Sequence, residues 1–379
     1  MNTPETSSLF TPWTNPESGI TSYILSSRAA PVQQSFYYTN PSFSADGRYL
    51  WFRTGHPPPG GRHCCKRMAV ADLLEEELRL FPETDLLNDS GMVDPDTGEL
   101  YWGNELDLWK RGPGGEDVAV LINRFPKELC DGTLFRLFTH PGFSPDRRFI
   151  NVDARFIRQD GTPVFIIGDF PVDGSPFRLW QKIVGRTHDH ALYSPADGDV
   201  QMFAWEYWGP DNADLFDGDR PYHRLWKIRR GGEAQPILPE PVTHSGHEWW
   251  DADGKHIWYL HYGVGIKKVE FATGKEVALA WPGNLSHAHS DRTGSYLVAD
   301  QMEHPGNPDC CVRFRNLKTG REVKIVNRPP LAPHLTQCTH LHPHPQFCLH
   351  DRYVCYTTTI HDRVDVALVP TDSLISATS

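Results

Sequence analysis

Apolar and polar residues alternate over short runs along most of the chain, and each run is followed by an Asp/Gly-rich turn. One unit of this kind recurs: Pro41–Phe52 (PSFSADGRYLWF), Met92–Trp102 (MVDPDTGELYW), Pro141–Ile150, Ala191–Phe203, Glu248–Tyr259, Ala288–Val298 and Pro345–Tyr356. Each copy is a short extended piece, a tight turn and an alternating strand, which is the pattern of a β-hairpin. Aligned on the turn residues Gly47, Gly98, Arg147, Gly198, Gly254, Gly294 and Asp351, the copies stand 40 to 57 residues apart. Each interval has room for four strands. The repeat therefore predicts an all-β chain folded as a seven-bladed β-propeller. The short 40-residue interval keeps six or eight blades as alternatives, and a two-domain β-protein with unrelated Asp-Gly turns is the plain competitor.

Between the copies, Val164–Gly168 and Arg224–Arg229 read as strands of second hairpins, and Ala71–Leu80 is the one stretch where a helical turn competes with a strand. Thr21–Ser27, before the first copy, and Arg363–Pro370, after the last, are predicted to share one blade. That pairing closes residues 1–379 into a single ring with no exposed sheet edge.

Charge and cysteine usage narrow the setting. A net charge of −11 leaves no basic footprint for nucleic acid or anionic lipid. No apolar run approaches the roughly 20 residues that cross a bilayer, and the N-terminal segment lacks the basic start and apolar core of a signal peptide. The expectation is a soluble, cytoplasmic protein with no membrane or nucleic-acid partner. The eight cysteines include no Cys-x-x-Cys pair and are read as free thiols, with Cys338 set apart because it lies in a histidine-rich stretch.

That stretch, Gln337–Phe347 (QCTHLHPHPQF), holds His340, His342 and His344 at every second residue, on one face of an extended segment. The repeat register extends the observation. Seven residues before the turn position stand His140, His247, His287 and His344 in four of the copies, with His190 one residue off in a fifth. The start of each inner strand lies beside the central channel of a propeller, so these positions are expected to converge. For any one histidine the ordinary reading is a cap on a backbone group. Several together with Gln337 offer neutral nitrogens and an amide oxygen without a carboxylate, a set suited to Mn, Fe, Co, Ni or Zn rather than Ca or Mg. No His-Glu-x-x-His, Gly-x-Ser-x-Gly or phosphate-loop motif is present, and no acidic pair is singled out for glycoside hydrolysis.

The segments Gln33–Arg48, His190–Pro195 followed by Arg224–Trp226, Gly246–Tyr259, His287–Ser290 and His342–Pro345 occur in an order that resembles the oligogalacturonate lyases. The resemblance implies a seven-bladed propeller that binds manganese through three histidines and a glutamine. It implies His287, His342 and His344 as ligands. The glutamine is expected three residues before the first histidine of the closing pair, where this chain has Thr339; Gln337 stands three before His340 instead. Two ligand sets therefore stand open, Gln337 with His340 and His342, or His342 with His344.

The resemblance further implies His247 as the catalytic histidine and Arg224 as a charge-stabilising arginine, for which the plain alternative is a surface salt bridge. His190, His140 and Arg220 are expected to bind substrate. The chemistry so implied is β-elimination on an acidic oligosaccharide, in which a histidine removes the C5 proton of a uronate while a metal and an arginine disperse the developing charge. The aromatic insert Trp205–Phe216 and the His56–Arg67 loop give the channel mouth its own shape. Homogalacturonan fragments and a rhamnose-capped glucuronate side chain are the candidate substrates. A non-catalytic interaction platform is the reading from another class.

Overall fold

The computed structural model describes residues 2–56, 65–86, 90–206, 221–301, 306–330 and 341–379, with the backbone alone for His56 and Cys65. Its strands form seven antiparallel sheets arranged as the blades of a β-propeller, six of four strands and one of five. Blade 1 runs from its inner strand Val32–Gln34 through Tyr49–His56 and Cys65–Asp72 to Glu77–Leu86. The inner strands of blades 2 to 6 are Gly91–Val93, Thr133–Arg136, His188–Tyr193, Ser245–Trp250 and Ala288–Ser290. Blade 7 combines Gln346–Cys348, Tyr353–Thr358 and Asp365–Pro370 with Thr21–Leu25 and Phe10–Thr14 from the start of the chain. Tyr23 and Ile24 pair with Leu368 and Ala367, so the two ends of the ring are joined by ladder hydrogen bonds.

The repeated turn has a local cause. The Ser44 hydroxyl donates to Asp46 and accepts the Tyr49 amide, and Ser144 does the same with Asp146 and Phe149. The turn closes through a left-handed residue, which glycine adopts without penalty: Gly47, Gly98, Gly254 and Gly294 have φ between 62° and 79°. Arg147 and Asp351 hold the same conformation at 60° and 64° without being glycine. Arg147 is compensated by ion pairs to Asp94 and Asp96 of the preceding blade.

Apolar residues that alternate along each strand meet those of the neighbouring blade, so the core is a ring of inter-blade layers. Trp51, Trp102, Trp249, Trp258 and Trp281 are all buried there. Trp51 also donates across the gap from blade 1 to the Gly98 carbonyl of blade 2 at 2.9 Å.

Three details depart from the sequence reading. Ala71–Leu80 is not helical: Cys65–Asp72 and Glu77–Leu86 form a hairpin in which the Asp72 carboxylate binds Arg48 and Arg79. Apolar packing of Ala69, Ala71 and Leu73 in the core decides that contest. The fifth strand of blade 7 was not predicted, because Pro12 interrupts its pattern; an outermost strand tolerates proline since its free edge needs no donor. The α-helix among the described residues is Thr371–Ala377, which buries Leu374 against blade 7. Cys130, Cys310, Cys311, Cys348 and Cys355 are free thiols. Cys64 and Cys338 lie outside the described residues. No helix among the described residues is long and apolar enough to cross a membrane.

Candidate metal centre and buried charge network

Five blades deliver histidines to one place, and its centre is Tyr37. The segment following Val32–Gln34 carries Tyr37 inward, where its ring stacks on His140 at 4.3 Å. The rings of His344, His190, His287 and His247 lie 4.8, 5.7, 5.8 and 6.4 Å from it. The convergence expected from the repeat register is thus present in space.

Two of these histidines sit on bulges. Strand pairing skips from Asp189 to Leu192 in blade 4 and from Gly246 to Trp249 in blade 5, and His190 and His247 adopt φ of 56° and 49°. His344 is also left-handed at 44°. Such a conformation costs a non-glycine residue roughly 1–3 kcal/mol and gathers at functional sites, where it re-aims a side chain.

His287, His342 and His344 are buried, and each offers one ligand nitrogen within 4.8 Å of the others. Their rings are 4.3 to 5.6 Å apart. Asp300, itself fully buried, organises the group. Its carboxylate accepts the His287 ring Nδ1–H at 3.0 Å and the backbone N–H groups of His287 at 2.7 Å and His344 at 3.3 Å. A carboxylate on Nδ1 fixes the tautomer and turns Nε2 toward a ligand, the outer-shell arrangement usual for metal-binding histidine. Three imidazoles packed so closely in a buried site cannot all be protonated, and as neutral nitrogen donors they fit a first-row divalent ion. Gln337 and His340 lie outside the described residues, as do Arg220 and most of the Trp205–Phe216 and His56–Arg67 segments. Asp300→Asn is expected to weaken divalent-metal binding by about 10–100-fold, measured by competition with a chelator.

His247 lies against this cluster, its ring 4.0 Å from that of His287. Its Nδ1 donates to the Ser286 carbonyl at 2.5 Å and lies 2.8 Å from the Tyr262 hydroxyl. Burial, and after it the neighbouring His287, His190 and Arg224, hold its proton affinity well below that of an ordinary histidine. His247 is therefore neutral, with Nε2 as its remaining basic atom.

Next to this group is a network of charges. Glu248, next to His247 on the same bulge, accepts from His190 Nδ1 at 2.8 Å and from Arg224 Nε at 3.3 Å. Burial alone would raise the Glu248 pKa, but Arg224 and His190 outweigh it and bring it to about 2. Arg224 is 3% exposed and also faces Glu206 at 3.6 Å, which excludes the surface salt bridge as its explanation. Asp189 is 3.7 Å from Arg136, and burial together with the Asp189 charge raises Glu206.

His140 has its Nδ1 3.1 Å from the Asn40 side-chain oxygen, while its Nε2 has no hydrogen-bond partner among the described residues. Asn40 also reaches the Gly91 and Pro141 carbonyls and so ties three blades together at the channel. Tyr37, Asp300, Glu248, Glu206 and Asp189 escaped the sequence reading. The usable signal was adjacency, since Tyr37 and Glu248 sit inside segments that were already singled out.

No family model matches the sequence, and no curated protein matches it. Solved structures do. An oligogalacturonate lyase in complex with manganese superposes with a TM-score of 0.76 at 17% identity, over 95% of this chain and 96% of that one. An oligogalacturonate lyase from Vibrio parahaemolyticus gives 0.76 at 18%, over 96% and 97%. A puromycin hydrolase gives 0.59 at 12%, over 90% of this chain and 53% of its own. At these identities the likeness is one of fold.

Proposed function

We propose that this propeller is a metal-dependent lyase that cleaves a uronate-containing oligosaccharide by β-elimination. The observation that carries the reading is the buried His287, His342 and His344 cluster, oriented by Asp300, with the neutral His247 in contact with it. Likeness of fold to two oligogalacturonate lyases, one of them a manganese complex, supports the same reading.

In this reading His287, His342 and His344 hold the ion, and Gln337 or His340 is the candidate to complete its ligands. The bound ion would act as a Lewis acid toward the uronate carboxylate, lowering the cost of charge at C5. The remaining work falls to side chains. His247 takes the C5 proton on Nε2, because the Ser286 carbonyl keeps its Nδ1 protonated and the ring oriented. Arg224, held at Nε by Glu248 and facing Glu206 through Nη1, stabilises the negative charge that develops on the substrate carboxylate. His140 Nε2 and His190 contact the sugar, with Arg220 as a further substrate contact. The low-dielectric surroundings of these buried groups strengthen each interaction with developing charge.

The test is incubation of the manganese-loaded protein with oligogalacturonides and, separately, with rhamnose-capped glucuronate glycans, following ultraviolet absorbance of the unsaturated product. A rise with either class that a chelator abolishes is expected, and the responding class names the substrate. Absence of product from both would leave the interaction platform as the better reading.

A further inference from the structure

Elimination at C4 and C5 needs a base and also a fate for the departing sugar. An alkoxide is a poor leaving group unless it receives a proton as the bond breaks. We infer that His190, held by the Glu248 carboxylate, is the general acid that protonates the departing glycosidic oxygen, an assignment that rests on the lyase reading above.

The geometry is that of an acid rather than of a passive contact. Glu248 is fully buried and lies 2.8 Å from His190 Nδ1, so that nitrogen keeps its proton and Nε2 carries the transferable one. Glu248 is fixed from behind by Arg224, and the His190 backbone N–H donates to Thr139 Oγ1 at 2.9 Å. The ring therefore has little freedom. It sits on a strained bulge, 4.5 Å from the His140 ring and 5.7 Å from Tyr37, the ring that His344 and His287 of the proposed metal cluster also approach, at 4.8 and 5.8 Å.

The charges that face His190 come from several blades. Asp189 on its own strand approaches Nε2 at 3.9 Å. Blade 3 contributes Arg136, which sits against Asp189, together with His140 and the Asp153 that binds Thr139. Arg224 and Glu206 belong to blade 4, and Glu248 and His247 to blade 5. Burial disfavours the imidazolium, but Asp189 and Glu248 outweigh burial and the opposing Arg224, and the His190 pKa is raised. The network thus favours the protonated form of His190 and the neutral form of His247, the division of environments that assigns acid and base in many enzymes.

The step balances. The C5–H bond breaks and its proton passes to His247 Nε2; the electron pair forms the C4–C5 double bond. The C4–O bond breaks, and the oxygen takes that pair together with the proton of His190 Nε2. The products are a 4,5-unsaturated uronide and a sugar with a free hydroxyl. Solvent then returns a proton to His190 and removes one from His247.

The test compares two substrates in the manganese-loaded enzyme: an oligouronide, and a synthetic uronate glycoside bearing 4-nitrophenoxy at C4, whose leaving group needs no proton. His190→Ala is expected to lower kcat on the oligouronide by about 10²–10³-fold and to lower the nitrophenoxy rate far less. Glu248→Gln removes the carboxylate that stabilises the imidazolium. The acid form exists below the His190 pKa, so the alkaline limb of kcat/KM should move to lower pH. Equal losses on both substrates in a variant with native circular dichroism would overturn the acid role. If His190→Ala does not fold, an unmoved alkaline limb in Glu248→Gln would overturn it instead. Wild-type enzyme that eliminates neither substrate would remove the lyase reading and this inference together, an outcome distinct from failure of the acid alone.

Discussion

Replacing His247 with alanine is expected to lower turnover of oligouronides by about 10²–10⁴-fold while leaving the metal content of the protein unchanged. The expectation follows from the two sides of the ring. Nδ1 is engaged by the Ser286 carbonyl and faces the Tyr262 hydroxyl, so the ring is oriented by groups that hold no metal. The other nitrogen is the basic one, and burial beside His287, His190 and Arg224 keeps it unprotonated. Because the ring is 4.0 Å from that of His287, truncation opens space beside a proposed metal ligand, and metal per chain has to be measured on the same sample. Parallel loss of metal and turnover would make His247 part of the metal centre and leave the base unassigned.

His287→Ala is expected to abolish stable binding of a divalent ion. His287 is the member of the cluster at which the other contacts meet: its ring lies 5.2 Å from that of His342 and 4.3 Å from that of His344, and Asp300 binds both its ring and its backbone. Removing it leaves two imidazoles and a buried carboxylate whose main partner is gone. The measurement is thermal unfolding with and without manganese. A ligand present at 100 times its Kd stabilises the fold that binds it by about 2.7 kcal/mol, so the wild-type midpoint should rise with added ion and that of the variant should not. A variant that is still stabilised by manganese would remove the cluster from the account.

The fold was legible because a propeller repeats one physical solution. Each blade needs the same tight turn between inner strand and second strand, and the Ser-x-Asp-Gly pattern around Gly47 reappears around Arg147 with its hydrogen bonds intact, although the glycine is missing. In blade 7 the apolar run Val366–Val369 and the strand Thr21–Leu25 both read as strands, and Tyr23 and Ile24 pair with Leu368 and Ala367. The strand around Pro12 and the helix Thr371–Ala377 were not legible. The first lacks alternation and relies on its edge position, and the second is two turns long with a single fully buried apolar residue, Leu374.

The candidate site was half legible for the same reason. The register predicted that His140, His190, His247, His287 and His344 converge, because the repeat assigns them equivalent positions beside one axis. The register carries no information about which carboxylate reaches which histidine. Asp300 follows the apolar run Tyr-Leu-Val-Ala at the end of an ordinary strand, and Glu248 is one of 48 acidic residues in the chain. Their importance comes from contacts made between blades and across bulges, where strand pairing is interrupted. Tyr37 belongs to the same class: its central position depends on the course of residues 35–41 between two pieces of one inner strand, and its sequence context is an unremarkable aromatic run.

The central claim is that the bond is broken by elimination, and the most direct test is the mass of the fragments released from a single defined uronide. Elimination predicts that the masses of the two fragments sum to that of the parent, one fragment carrying the C4–C5 double bond. Fragments whose sum exceeds the parent by one water would mean hydrolysis and would contradict the account.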